Sequence, residues 1–152
     1  MKYLYLTLIL ATMNSFGQLV KVDYADGNQK LEGFFAKAQK ANPKKIGVIV
    51  LPAWMGVDAH SKESAEALAK LGYHAFVADI YGVGNNPKNT GEAGKNAGFY
   101  KNNPEEYQKR IQLAIDQLVK AGADKNQIAV IGYCFGGTGA IEAARGNLNV
   151  KG

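Results

Sequence analysis

Residues 128–137 read Ile-Ala-Val-Ile-Gly-Tyr-Cys-Phe-Gly-Gly. With Gln127, the opening residues form a short, β-branched apolar run, which suits a strand buried within a sheet better than a helix. Residues 136–145 carry small and apolar residues that predict a helix starting at once. Between the two lies G-x-C-x-G: Gly132-Tyr133-Cys134-Phe135-Gly136. A side chain presented for attack at the top of a sheet must sit on a sharp, strained strand-to-helix turn, so the positions two before and two after it must lack bulk. Gly132 and Gly136 meet that demand, and Gly137 is expected to let the helix approach the sheet closely. Cys134 then stands at a helix N-terminus, where free N–H groups and the positive end of the helix dipole attract anionic sulfur. The N–H of Phe135 is expected to point where an oxyanion would form, and one such donor is worth roughly 3–4 kcal/mol of barrier. The competing reading is a structural glycine-rich turn around an inert buried cysteine.

Upstream, short apolar runs alternate with helical patterns. Residues 45–51 (KIGVIVL) and 73–79 (YHAFVAD) predict further strands. Residues 61–71 place apolar side chains at 65, 68 and 71, with Gly72 as a stop, predicting a helix. A second helix is predicted over 104–121, with Asn103 as N-cap, Pro104 in the first turn, and Glu105-Glu106 complementing its positive end. Tyr107, Ile111, Ala114, Ile115 and Leu118 define its inner face. Residues 82–98, rich in Gly, Asn and Lys, read as a long surface loop. At the start, residues 19–22 and 31–36 flank Ala25-Asp26-Gly27-Asn28 and predict an antiparallel hairpin. Strand–helix alternation after that hairpin implies a parallel sheet with helices on both faces.

The chain has 152 residues, 47% hydrophobic and 20% charged, which points to one globular domain. Its net charge of +5 comes from lysines scattered among acids, so no basic patch of the kind nucleic acid requires is expected. Residues 1–17 have the layout of a secretory signal: a Lys2 start, an apolar run over 3–13, then Asn14-Ser15-Phe16-Gly17. That run is short of the roughly 20 residues that span a bilayer, so cleavage after Gly17 and a periplasmic or secreted location are expected, with no stable membrane span thereafter. Residues 18–152 would be the mature domain. Cys134 is the single cysteine, which excludes an internal disulfide. His60 and His74 lack zinc-like spacing to other ligands, so neither metal nor cofactor is expected.

The segment IGYCFGG resembles the nucleophile elbow of the dienelactone hydrolase family. So do Leu31-Glu32-Gly33-Phe34-Phe35-Ala36 in the hairpin, Trp54-Met55-Gly56 after the first buried strand, and Ala78-Asp79-Ile80-Tyr81-Gly82 after the next. The resemblance covers nearly all of residues 20–152. It implies an α/β-hydrolase-like sheet with an N-terminal hairpin, and a Cys-His-Asp triad hydrolysing enol-lactones or other small esters without metal or cofactor. It also implies that the backbone N–H of Trp54 is the second oxyanion donor; a packing role for the Trp54 ring is compatible with this, because the donor is main-chain. The family's triad acid and histidine follow the nucleophile on later strands. Only 18 residues follow Cys134, none of them Asp or His, so the domain reads as C-terminally truncated and the chain alone as inactive. Glu142, the one acid there, reads as a surface residue. His60, in the loop or first turn after Trp54-Met55-Gly56, is the histidine nearest the right sheet edge, though an exposed first-turn histidine is its simpler reading. Many members carry a glutamate just before the Trp54 position and an arginine after the Asp79–Tyr81 segment; here those places hold Ala53, and Val83 with Gly84.

Two other classes fit parts of the pattern. A class I glutamine amidotransferase also uses G-x-C-x-G on a parallel sheet, but usually carries Gln where this chain has Thr138. A non-catalytic exported α/β domain would retain the elbow only for packing.

Overall fold

The computed structural model of the protein describes residues 19–152, so the signal-peptide reading of 1–17 lies outside the described residues. Two strands, β1 (Leu19–Asp26) and β2 (Gln29–Ala36), form the expected hairpin in full register from Leu19↔Ala36 to Asp26↔Gln29. Gly27 closes it at φ +56°, a left-handed conformation that glycine adopts without steric cost. β3 (Gly47–Leu51), α1 (Ala59–Leu71), β4 (His74–Val77), α2 (Thr90–Asn102), α3 (Pro104–Lys120), β5 (Ile128–Gly132) and α4 (Phe135–Arg145) follow. The sheet order is β1-β2-β4-β3-β5. β4, β3 and β5 run parallel, whereas β2 joins β4 antiparallel, so the hairpin extends the expected parallel sheet into a mixed one.

The sheet buries both faces. One face sets Ile49, Leu51, Phe76 and Val130 against α3 and α4, around Tyr107, Ile111, Ile115 and Leu118. The other sets Val50, Ala75 and Val77 against Ala65 and Ala69 of α1. The inner face of α1 therefore runs through 61, 65 and 69, and Leu71, expected inside, is 68% exposed. An Asp58–Ser61 capping box starts this helix two residues earlier than its apolar pattern suggests, and Gly72 stops it at φ +99°.

The reading of 82–98 as a loop is corrected by α2. Three glycines and two asparagines dilute its pattern, yet Ala93, Ala97 and Tyr100 form a buried i, i+4, i+7 stripe. Asn89 caps it by accepting from Glu92 N–H at 2.9 Å. Asn103 is likewise not a side-chain cap for α3: its Nδ2 donates to Phe99 O at 2.7 Å and closes α2 instead.

A buried ion pair fastens the hairpin to the helical layer. Arg110 Nε lies 3.1 Å from Asp26 Oδ2, both side chains about nine-tenths buried. Lys109, on the surface, reaches the other oxygen at 2.7 Å. At the far end of the sheet, Lys151 N–H donates to Ile128 O and Val130 N–H to Gly152 O, so the last two residues run along the outer edge of β5.

Candidate active site

Cys134 occupies the junction of β5 and α4 at φ +54°, ψ −110°, a conformation that costs a non-glycine residue strain of order 1–3 kcal/mol. It is exposed, which removes the reading of it as a buried hydrophobe. The two motif glycines explain how the chain turns there. A Cβ on Gly132 would overlap the Gly136 carbonyl, and one on Gly136 would overlap the Leu51 carbonyl. Neither neighbour is a side chain that could swing aside. Gly137 has no such role: a Cβ there meets only Gly132 O at 3.6 Å, ordinary contact. The close approach falls instead to Gly139, whose Cβ would come within 2.6 Å of Tyr107 Cζ and 2.8 Å of Leu51 Cδ1.

The sheet brings Trp54 to the same edge. Tyr133 N–H donates to Leu51 O at 3.2 Å, tying the end of β5 to the end of β3 just before each chain leaves the sheet. Beyond Leu51, residues 53–56 form a turn in which Gly56 N–H donates to Ala53 O at 2.9 Å. Because a peptide unit is planar and trans, the Trp54 N–H points opposite to that committed carbonyl, out of the turn. Phe135 is arranged in the same way: Gly137 N–H donates to Cys134 O at 3.0 Å, and the Phe135 N–H, at the first helical position, has no intrahelical acceptor.

Three aromatic rings lie beneath this edge. Phe135 stacks between Tyr107, at 4.7 Å, and Tyr81, at 5.7 Å. Tyr107 donates its hydroxyl to Phe135 O at 3.0 Å, and Tyr81 donates to Trp54 O at 2.9 Å. Burial, then Tyr100 and then the Cys134 thiol, push the Tyr81 hydroxyl well above its ordinary range, so it keeps its proton. The sequence around Tyr81 carries no signal of a role for its hydroxyl; only the fold places it under the Trp54 turn. Its loop is anchored by Asp79, which accepts from Glu32 N–H at 3.0 Å and Gly82 N–H at 2.8 Å. Burial raises the Asp79 carboxyl above its ordinary value, and those amides and Arg110 hold it partly down.

Neither histidine joins Cys134 through a hydrogen bond among the described residues. His60, exposed in the first turn of α1, rests edge-on against the Tyr133 ring at 4.5 Å. His74 stacks on Phe35 at the opposite end of its strand and accepts from Ala38 N–H at 3.5 Å. Burial, then Lys37 and Lys45, lower its pKa. Glu142, expected at the surface, is only 8% exposed and accepts from Gln108 at 3.1 Å and Arg145 at 3.2 Å. That bond from α3 holds it between the two helices. Where an arginine was expected, Val83 and Gly84 border a recess of about 250 Å³ together with Lys62, Glu32 and Asp79. One ammonium facing two carboxylates gives that recess no preference for an anionic ligand. No cluster of three or more His, Cys, Asp or Glu suited to a metal occurs among the described residues.

A sheet with helices on both faces, in which the parallel strand β5 ends in a strained turn between obligatory glycines, defines an α/β-hydrolase-type domain. The chain belongs to the dienelactone hydrolase family, whose model matches residues 31–152. A probable 2-oxo-3-(5-oxofuran-2-ylidene)propanoate lactonase from Bradyrhizobium sp. is 29% identical over 99 residues, 64% of this chain and 40% of that protein. Among solved structures, one called m3DLH superposes with a TM-score of 0.81 at 30% identity, covering 88% of this chain and 56% of that one. A dienelactone hydrolase-like promiscuous phosphotriesterase from metagenomic libraries gives 0.80 at 31% identity, with the same coverages. The chain therefore spans about half the length of the relatives it matches.

Proposed function

We propose that the protein is a hydrolase of small esters or lactones with Cys134 as nucleophile. The observation that carries this is the exposed, positive-φ cysteine at the head of α4, beside a turn that directs the Trp54 amide outward. Family membership and the lactonase relative support the substrate class. In this reading a histidine takes the Cys134 proton as the sulfur bonds to the ester carbonyl carbon, and the carbonyl electron pair moves onto oxygen. The Phe135 and Trp54 N–H groups donate to that oxyanion. The C–O bond then breaks, and the alcohol leaves with a proton from that histidine. Water, deprotonated by the same histidine, releases the acid from the thioester. The histidine and its acid partner belong, in this reading, to the part of the relatives' length that this chain does not span. The absence of an arginine at Val83 and Gly84 favours uncharged esters over carboxylate-bearing ones.

We further propose export after cleavage at Gly17, which motivates no change in the chemistry. The test of the catalytic reading is hydrolysis of aryl esters and lactones by the full-length gene product and its Cys134→Ala variant. The variant is expected to lose at least about 1,000-fold in rate. Hydrolysis at the parent rate would overturn the reading and favour an elbow kept only for packing.

A further inference from the structure

Trp54 lies in a turn outside any helix or strand, so no secondary-structure ladder fixes the peptides on either side of it. Phe135 has the α4 ladder to hold its own. Two hydrogen bonds take the ladder's place at Trp54. Gly56 N–H fixes the Ala53–Trp54 peptide through Ala53 O, and the Tyr81 hydroxyl fixes the Trp54–Met55 peptide through Trp54 O at 2.9 Å. The second peptide is the central one of the turn, the unit whose rotation interconverts turn types. Tyr81 is itself held on both sides. Its ring stacks on Phe135 at 5.7 Å, and Asp79 organises its loop by accepting the Gly82 N–H. One side chain thus touches both Trp54 and Phe135, the two residues whose amides the nucleophile reading assigns to the oxyanion.

We infer that Tyr81 is a positioning residue: its hydroxyl locks the Trp54 turn so that the Trp54 amide stays aimed at the oxyanion, coupled through its ring to Phe135. This rests on the nucleophile reading above and adds to it the residue that sets the second donor. The hydroxyl stays protonated, as its burial dictates, and so remains a donor throughout the working pH range.

The test separates two reactions of the same sulfur. With p-nitrophenyl acetate, Cys134 sulfur bonds to the acyl carbon, p-nitrophenolate leaves with the electron pair, and the thiol proton goes to buffer; an oxyanion forms on the way. With iodoacetamide, the same sulfur displaces iodide and no oxyanion forms. Both rates are measured on the purified protein by mass spectrometry of the peptide carrying Cys134. For Tyr81→Phe, acylation is expected to fall about tenfold, part of the effect of deleting a whole donor, while alkylation stays at the parent rate. Equal changes in both rates, or no change in either, would overturn the role of Tyr81 and leave the nucleophile reading standing. A parent protein never acylated at Cys134 would overturn that reading and this inference with it. Met55→Gly loosens the same turn from its exposed side, and keeps the question answerable if Tyr81→Phe does not fold; it must show the same selective loss, and an unchanged ratio would count against the inference. Trp54 is the chain's single tryptophan, so its fluorescence is expected to shift in both variants.

Discussion

Alanine at the two adjacent glycines of α4 separates the elbow's steric requirement from ordinary helix propensity. Gly136 and Gly137 are neighbours in one helix, and neither shows a positive φ, so backbone strain is common to both and drops out. What differs is space. A Cβ at 136 overlaps the backbone of Leu51 and comes within 2.8 Å of Pro52 O, whereas at 137 the nearest atom is 3.6 Å away. Main-chain neighbours in a central strand cannot rotate clear, so Gly136→Ala sits at the upper end of overpacking costs, about 3 kcal/mol. Gly137→Ala has no such term and gains about 0.5 kcal/mol from alanine's helix preference. At about 2–4 °C per kcal/mol for a domain of this size, Tm should fall by about 6–12 °C for Gly136→Ala and rise by about 1–2 °C for Gly137→Ala. Thermal unfolding followed by circular dichroism reads both. Equal shifts in the two variants, or a loss at Gly137→Ala as large as at Gly136→Ala, would refute the steric account of the elbow.

Other outcomes follow from the same structure. Asp26→Ala leaves the buried Arg110 guanidinium without its carboxylate and should cost about 3 kcal/mol, seen as a lower urea midpoint, while Lys109→Ala, at the exposed end of the same cluster, should leave it nearly unchanged. Burial raises the Asp79 carboxyl above its ordinary value near 3.8, so between that value and its folded value the native state holds more protons than the unfolded one. Stability from this group therefore falls as pH rises through that window, and the advantage of the parent over Asp79→Asn should be largest near pH 4 and smaller at pH 7. Melting curves at the two pH values check the sign, and a growing advantage would contradict it. If the protein is exported as proposed, its N-terminal residue in its own cell is Gln18; retention of Met1 would argue against cleavage.

The parts of the fold readable from sequence were those where one physical demand dominated. The buried strand β3 leaves the run Gly47–Leu51, whereas Ile128–Gly132, expected to be buried as well, is an edge strand with only Ile128 and Val130 buried; the elbow leaves Gly132 and Gly136, because nothing larger fits. The α3 face was legible because five apolar residues recur at helical spacing. α2 was not, since Gly94 and Gly98 lie in open space and dilute the pattern without serving a turn; its Asn89–Glu92 cap was the usable signal. The close approach expected at Gly137 belongs to Gly139, because adjacency to a motif says nothing about which face meets the sheet. Tyr81 could not be weighted at all: its partner Trp54 is 27 residues away, and only the pairing of β3 with β4 brings them together. Glu142 reads as exposed until α3 supplies Gln108.

If Cys134 is the nucleophile, an aryl lactone must leave its acyl group on that sulfur. Opening the ring by the Cys134 sulfur leaves the whole lactone on the protein as a thioester, since the leaving phenol stays tethered. Brief exposure to dihydrocoumarin, acid quenching and peptide mass spectrometry should find that adduct on the peptide carrying Cys134, removable by hydroxylamine and absent from Cys134→Ala. An unmodified Cys134, or the same adduct on Cys134→Ala, would contradict a Cys134 nucleophile.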